Sequence, residues 1–436
     1  MKCVARLSAA AFAVVATFGV LAPGRVAAET LGQAWQLAIE HDNELAAAGA
    51  ELEGARSSER AARAARWPSL AANAGYTRFN SAPQFDFAGS GFALRAPIFS
   101  GDDYVSSSVQ LKLPLYTGGR ISADIDAAHH AALAASDAER VARSALRLDV
   151  ARSYIEVLRA KRLLQTAQSR VSSLTAHVAD VESLVNRELV ARSDLLAGRV
   201  ALANAEQQRV RADNGVALAY AAYNRRLGES LDRTPQLDDD VKVDAALAEE
   251  PIDVLIKRAL QARGELGALS ALADALALQS KAERADLLPQ LAVSVGYNYV
   301  ENQILDRKDF ASVGIGVTWN LFDGGQVRNR SAALRNSGMA ARHRVDDLRT
   351  QIELEVRQAW LGVREARGRV VASRDAVAQA DENLRITREL YGTGLGTNTQ
   401  VLDAVTLQVE SANNHENATL DESLAVLQLA RAVEAL

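Results

Sequence analysis

Three stretches of the chain alternate apolar and polar residues with period two, and a fourth begins the same way. Val105, Val109, Leu111, Leu113 and Leu115 interleave with Ser106, Ser108, Gln110, Lys112 and Pro114. Leu291, Val293, Val295, Tyr297 and Tyr299 interleave with Ala292, Ser294, Gly296 and Asn298, and Val313, Ile315, Val317, Trp319 and Leu321 with Ser312, Gly314, Gly316, Thr318 and Asn320. Period two puts successive side chains on opposite faces of an extended strand. The pattern predicts strands over about 70–79, 105–116, 290–300 and 312–322. Each is about ten residues long, enough for a tilted strand to cross a bilayer with one apolar face. Tyr297, Tyr299 and Trp319 suit the membrane interface. One such hairpin alone would read as a soluble sheet with a buried face. Two of them, each interrupting long helices at the same place, favour the membrane.

Between the hairpins the period changes to three and four. Val171, Leu174, Val178, Val181, Leu184 and Val185 have the spacing of a coiled-coil seam. From Gly119 to a turn near Leu189 there is no proline and almost no glycine, and the stretch from Gly325 to Tyr391 is alike, with isolated glycines. At 1.5 Å per residue each helix would run roughly 100 Å. Each is expected to reverse at a short turn, Leu189 to Ser193 or Gly392 to Asn398, with Ser193 and Thr399 as N-caps of the return helices.

These elements recur. Residues 35–76 match a segment 221 positions later without a gap, pairing Leu45 with Leu266, Pro68 with Pro289 and Gly75-Tyr76 with Gly296-Tyr297. From about residue 113 the offset is 206: Gly118-Gly119 matches Gly324-Gly325, Val150 matches Val356, and Tyr154 falls on Trp360. The length difference lies between residues 77 and 112, where Asn80 to Tyr104 reads as a loop rich in Gly, Ser, Pro and Asp. Loops absorb insertions and packed elements do not. The chain divides into a repeat over 29–228, with a helical hairpin at 120–228, and another over 251–436, with its hairpin at 326–436. The joining segment 229–250, with Thr234-Pro235 and Asp238-Asp239-Asp240, reads as a solvated connector.

Composition sharpens the class. Aromatics are 5%, prolines only eight and alanine very abundant, as long helices require. Lys2 and Arg6 precede an apolar run from Leu7 to Leu21, and Val26-Ala27-Ala28 offers a cleavage point, so residues 1–28 read as a secretory signal peptide. The only cysteine, Cys3, falls within it, which removes disulfide and thiolate chemistry from the expected mature chain. Without Lys2, Arg6 and Arg25 the 49 basic residues fall to 46 against 54 acidic ones, a net charge of −8 that suggests no nucleic-acid partner. No later stretch approaches 18 apolar residues, so a membrane crossing would have to use strands. Four strands cannot close a membrane barrel, and an open edge in lipid strands backbone groups, so the chain must oligomerise. The six histidines show no metal spacing, and His129-His130 reads as a surface pair. No cofactor or catalytic residue is expected. A soluble periplasmic coiled-coil adaptor or scaffold is the alternative; it predicts no strand hairpins of membrane length.

Several ordered motifs resemble the TolC-like outer-membrane factors over nearly the whole mature chain. They are Trp67-Pro68 and Leu288-Pro289 entering a strand, Leu113-Pro114-Leu115-Tyr116-Thr117-Gly118-Gly119-Arg120 and Trp319-Asn320-Leu321-Phe322-Asp323-Gly324-Gly325 leaving one, and Tyr391-Gly392-Thr393-Gly394-Leu395-Gly396 before Val401-Leu402-Asp403-Ala404. The resemblance implies a mainly α chain with a membrane β-barrel: a homotrimer whose twelve strands form one barrel in outer-membrane lipid of a Gram-negative bacterium, continued by a coiled-coil α-helical tunnel in the periplasm. It also implies a tunnel end closed at rest, which opens when a periplasmic adaptor (membrane fusion) protein and an inner-membrane transporter of RND or ABC type dock. Such channels serve drug or metal efflux and type I protein secretion. The family's paired aspartate rings fall on Gln400 and Asp403, so only one ring is acidic here. Three copies of Asp403 around a bore would concentrate negative potential; an ordinary helix-surface carboxylate is the competing reading. The resemblance sets Tyr391 near the closure, and Asp194, the first-repeat equivalent of Gln400, is a second gate candidate. It sets Leu189, Val190, Ala191, Arg192 and Ser193, with Gly394, Leu395, Gly396 and Thr397, at the adaptor contact.

Overall fold

The computed structural model describes residues 28–89, 92–241, 243 and 245–436. Apart from Ala28, the expected signal peptide lies outside them. The repeat is visible in the element bounds. Helices α1 (Leu31–His41) and α2 (Asn43–Ala64) return as α5 (Ile252–Ala262) and α6 (Gly264–Ala285), with 11 and 22 residues in both copies. Strands β1 (Ser69–Arg78) and β4 (Asp103–Tyr116) correspond to β5 (Gln290–Val300) and β6 (Asp309–Thr318). Long helices α3 (Arg120–Asn186) and α7 (Gln326–Gly392) have 67 residues each, and return as α4 (Arg192–Leu227) and α8 (Asn398–Ala432).

Strands β1, β4, β5 and β6 form one antiparallel sheet in that order, so the two copies meet along β4 and β5. Beyond residue 78 the window expected to be a polar loop instead carries a second hairpin, β2 (Gln84–Gly89) with β3 (Phe92–Pro97), paired outside the main sheet. At its base Phe79, Phe99 and Tyr104 stack with centroids 4.3–5.7 Å apart. The last strand starts three residues before the expected 312 and stops at Thr318. Thr318 pairs with Gln290, so Trp319 would face Pro289, which has no N–H to give. The Trp319 indole instead donates to the Leu287 carbonyl at 3.0 Å.

Each long helix is launched by the same turn. Gly118 and Gly119 have φ of 63° and 86°, and Gly324 and Gly325 have 67° and 86°, a left-handed region that β-carbons disfavour. At Gly118 a side chain would also meet the Ala285 carbonyl oxygen at 2.9 Å. In the second copy Asp323 accepts from the Gly325 and Val327 amides, both at 2.8 Å. Those bonds hold its carboxyl below the usual range.

Two cores lie midway along the helices, again as repeat equivalents. In the first, Val150, Tyr154, Ile155 and Leu158 of α3 pack on α1, α4 and α8; in the second, Ile352, Val356 and Val363 of α7 pack on α5 and α8. The segment between the copies, expected to be solvated, is partly docked. Leu237 is buried and pairs in parallel with Glu29, and the Tyr154 hydroxyl lies 2.8 Å from the carbonyls of Glu29 and Asp238. Glu29 receives the Tyr223 hydroxyl at 2.6 Å and Arg233 at 2.5 Å.

Candidate gate at the hairpin tips

Far from the sheet, the two helical hairpins reverse through matching turns. Glu188 and Gly394, equivalent residues, take φ of 60° and 76°. The following leucine amide bonds back over the last turn in both copies, Leu189 to Leu184 at 3.0 Å and Leu395 to Leu390 at 2.9 Å. This is a left-handed helix stop, and it leaves Leu189 66% and Leu395 80% exposed. Gly396 is dictated by space, because a β-carbon there would come within 3.0 Å of the Tyr391 amide nitrogen.

The expected N-caps are corrected. Helix α4 begins at Arg192 behind Ala191, with no side-chain cap, so Ser193 already lies inside the helix. Helix α8 is capped by Thr397, not Thr399: the Gln400 amide donates to the Thr397 hydroxyl at 3.4 Å, and Gln400 Oε1 accepts from the Thr397 amide at 2.8 Å. This reciprocal capping box ties the Gln400 side chain to its own helix end. Asp403 is exposed one turn further on.

An apolar seam joins the hairpins just above the turns. Val178 and Val181 of α3 and Leu195 of α4 pack with Tyr391 of α7 and Val401 of α8. A second cluster, Leu174, Ala205, Leu384, Ala404 and Val405, extends the seam. Within it the Tyr391 hydroxyl is 3.5 Å from Asp194 Oδ2, the long limit of a hydrogen bond. Burial, and then the Asp194 carboxylate, push the Tyr391 hydroxyl above the ordinary phenol range, so it stays a donor. The structure thus brings Tyr391 and Asp194 together, while Asp403 and most of the turn residues stay at the surface; Val190 is half-buried against the seam.

Sequence reasoning missed two residues of this group. His177 and Asn398 are buried, with His177 Nε2 2.8 Å from Asn398 Oδ1. The signal was present: His177 occupies a slot between Leu174 and Val181 that seam periodicity reserves for an apolar side chain. His129, by contrast, is half-exposed beside Glu59 at 3.2 Å.

Comparison with known proteins adds the family. The profile described as outer membrane efflux protein matches residues 34–229 and 255–434. Outer membrane protein TolC of Vibrio cholerae serotype O1 is 24% identical over 433 residues, covering 97% of this chain and 94% of that protein. The structure resembles the outer membrane protein VceC of Vibrio cholerae, with a TM-score of 0.78 at 19% identity over 92% of this chain and 95% of that one. It also resembles the CmeC outer membrane channel of Campylobacter jejuni, with a TM-score of 0.78 at 14% identity over 93% and 85% of the two chains. Since the family match runs through both repeats, the chain belongs to the outer membrane efflux protein family.

Proposed function

We propose that three copies of this chain close one barrel in outer-membrane lipid and extend it as a helical duct, the exit of a tripartite efflux or type I secretion system. Family membership makes the chain an outer-membrane efflux channel and not an enzyme. The observation that carries the finer reading is the four-stranded sheet with two open ends. Among the described residues, strand β1 pairs only with β4, and β6 only with β5. On β6, Val313 and Ile315 are 76% and 71% exposed, and no helix among the described residues is long and apolar enough to cross a membrane. Edges in hydrocarbon must be paired; β1 of one copy against β6 of the next satisfies them, and three copies supply twelve strands. A soluble adaptor would hold that apolar face in water.

The same reading gives the tips their roles. Tyr391 and Asp194 hold the closed end, while Asp403, and more weakly Gln400, line the constriction. The turns Leu189 to Ser193 and Gly394 to Thr397 receive a periplasmic adaptor protein linked to an inner-membrane transporter. Two exposed leucines at equivalent tip positions are the kind of surface that apolar residues on a partner bury.

Native mass measurement of detergent-extracted protein, followed by planar-bilayer recording, tests the proposal. A mass of three chains with ion conductance is expected. A folded, water-soluble monomer that conducts nothing overturns it.

A further inference from the structure

We infer that His177 and Asn398 form a polar clasp that fixes the two helical hairpins in register at the tip while keeping their seam easy to part. The inference deepens the gate reading of the preceding section and rests on it. Each of the four long helices gives one side chain to a connected group: His177 from α3, Asp194 from α4, Tyr391 from α7 and Asn398 from α8. The His177 ring lies 5.6 Å from that of Tyr391. His177 and Asn398 are 5% and 4% exposed, in a seam otherwise built of Val178, Val181, Leu195 and Val401.

The bonding pattern assigns donors and acceptors. Asn398 Nδ2 donates to the Asp194 carbonyl at 3.2 Å, which turns Oδ1 toward His177. His177 Nε2, at 2.8 Å, must then carry the proton and donate. While the hairpins are together, His177 Nε2 and Asn398 Oδ1 satisfy each other; remove one, and the buried atom that faced it is left unpaired. When the seam opens, water takes over both groups. Two leucines at the same positions would instead add apolar area that opening has to expose. The pair therefore specifies alignment without adding hydrophobic adhesion.

Planar-bilayer recording of the full-length channel tests this through its open fraction. His177→Leu strands the Asn398 carbonyl and is expected to raise the open fraction about tenfold, the equivalent of about 1.4 kcal/mol. Asn398→Ala should do the same from the other side, and leaves the Thr397 cap in place if the leucine variant folds poorly. His177→Gln keeps an N–H donor and should behave as the unmodified channel. The double variant His177→Leu with Asn398→Leu should be as closed as the unmodified channel or more so. A normal open fraction for both His177→Leu and Asn398→Ala overturns the clasp, as does His177→Gln opening as far as His177→Leu. Asp194→Ala separates the two readings: if it opens the channel while His177→Leu and Asn398→Ala both leave it closed, only the clasp falls, and if none of the three opens it, the gate falls as well.

Discussion

Glu188 and Gly394 hold the same left-handed turn position in the two helical hairpins, yet only one of them is a glycine. A β-carbon in that region costs about 1 kcal/mol or slightly more. Glu188→Gly is therefore expected to stabilise the protein by about 1 kcal/mol, and Gly394→Glu to destabilise it by a similar amount. Thermal midpoints of the purified variants check both signs.

The Tyr391–Asp194 hydrogen bond at the proposed gate can be removed with one atom. Tyr391→Phe deletes the hydroxyl that reaches Asp194 and leaves the ring in the seam. At 3.5 Å the bond is long, so its net worth lies at the low end, about 0.5 kcal/mol, and the open fraction in bilayers should rise about twofold. An unchanged open fraction would separate this contact from closure.

Midway along the helices, Glu265 meets Arg431 at 2.7 Å and the buried Arg263 at 3.0 Å. Burial alone would raise its pKa, but the bond from Arg431 and the charges of Arg431 and Arg263 outweigh it and hold the carboxyl below the usual glutamate range. A carboxyl lowered in the folded state releases its proton more readily there than in the unfolded chain. Its stabilisation is thus full above the ordinary glutamate pKa and is lost as pH falls through the lowered value. Glu434, in the same group, is raised chiefly by burial and works in the opposite sense, so the variant must isolate Glu265. Glu265→Gln should cost about 1–3 kcal/mol at neutral pH, and less in acid. Thermal midpoints from pH 7 down to 3 should converge with those of the unmodified protein.

On the exposed face of β6, Ile315→Arg should cost about 2–4 kcal/mol if that face meets lipid near mid-bilayer. The neighbouring Gly314→Ser, on the other face, should be far milder. Recovery of intact trimer from membranes distinguishes them; equal recovery would argue for a water-facing sheet.

Much of this architecture was legible in the residues, because regular elements write their periods into the chain. The alternation from Val105 to Leu115 and from Leu291 to Tyr299 gave β4 and β5, and the constant offsets gave two copies whose first three helices are equal in length, the return helices differing by one residue. The hairpin β2–β3 was hidden because its strands are short and the Gly, Ser, Pro and Asp around them read as loop. Ser193 looked like a cap but sits inside α4, since capping depends on where the backbone turns helical. Thr397 with Gln400 three residues on is the capping-box spacing, and it was there to be read. The tip contacts were harder. Tyr391 and Asp194 lie 197 residues apart and meet only because α4 and α7 are aligned by everything above them.

The equal length of α3 and α7 sets a condition on how this protein can change. Both span about 100 Å, so the reversals of the two halves finish at one level and can present a single even rim to whatever docks there. Loss of two turns from one helix alone would leave that rim stepped by about 11 Å. Insertions and deletions in these shafts must therefore be matched in pairs, whereas the far end, where one copy carries a hairpin that the other lacks, is free to diverge.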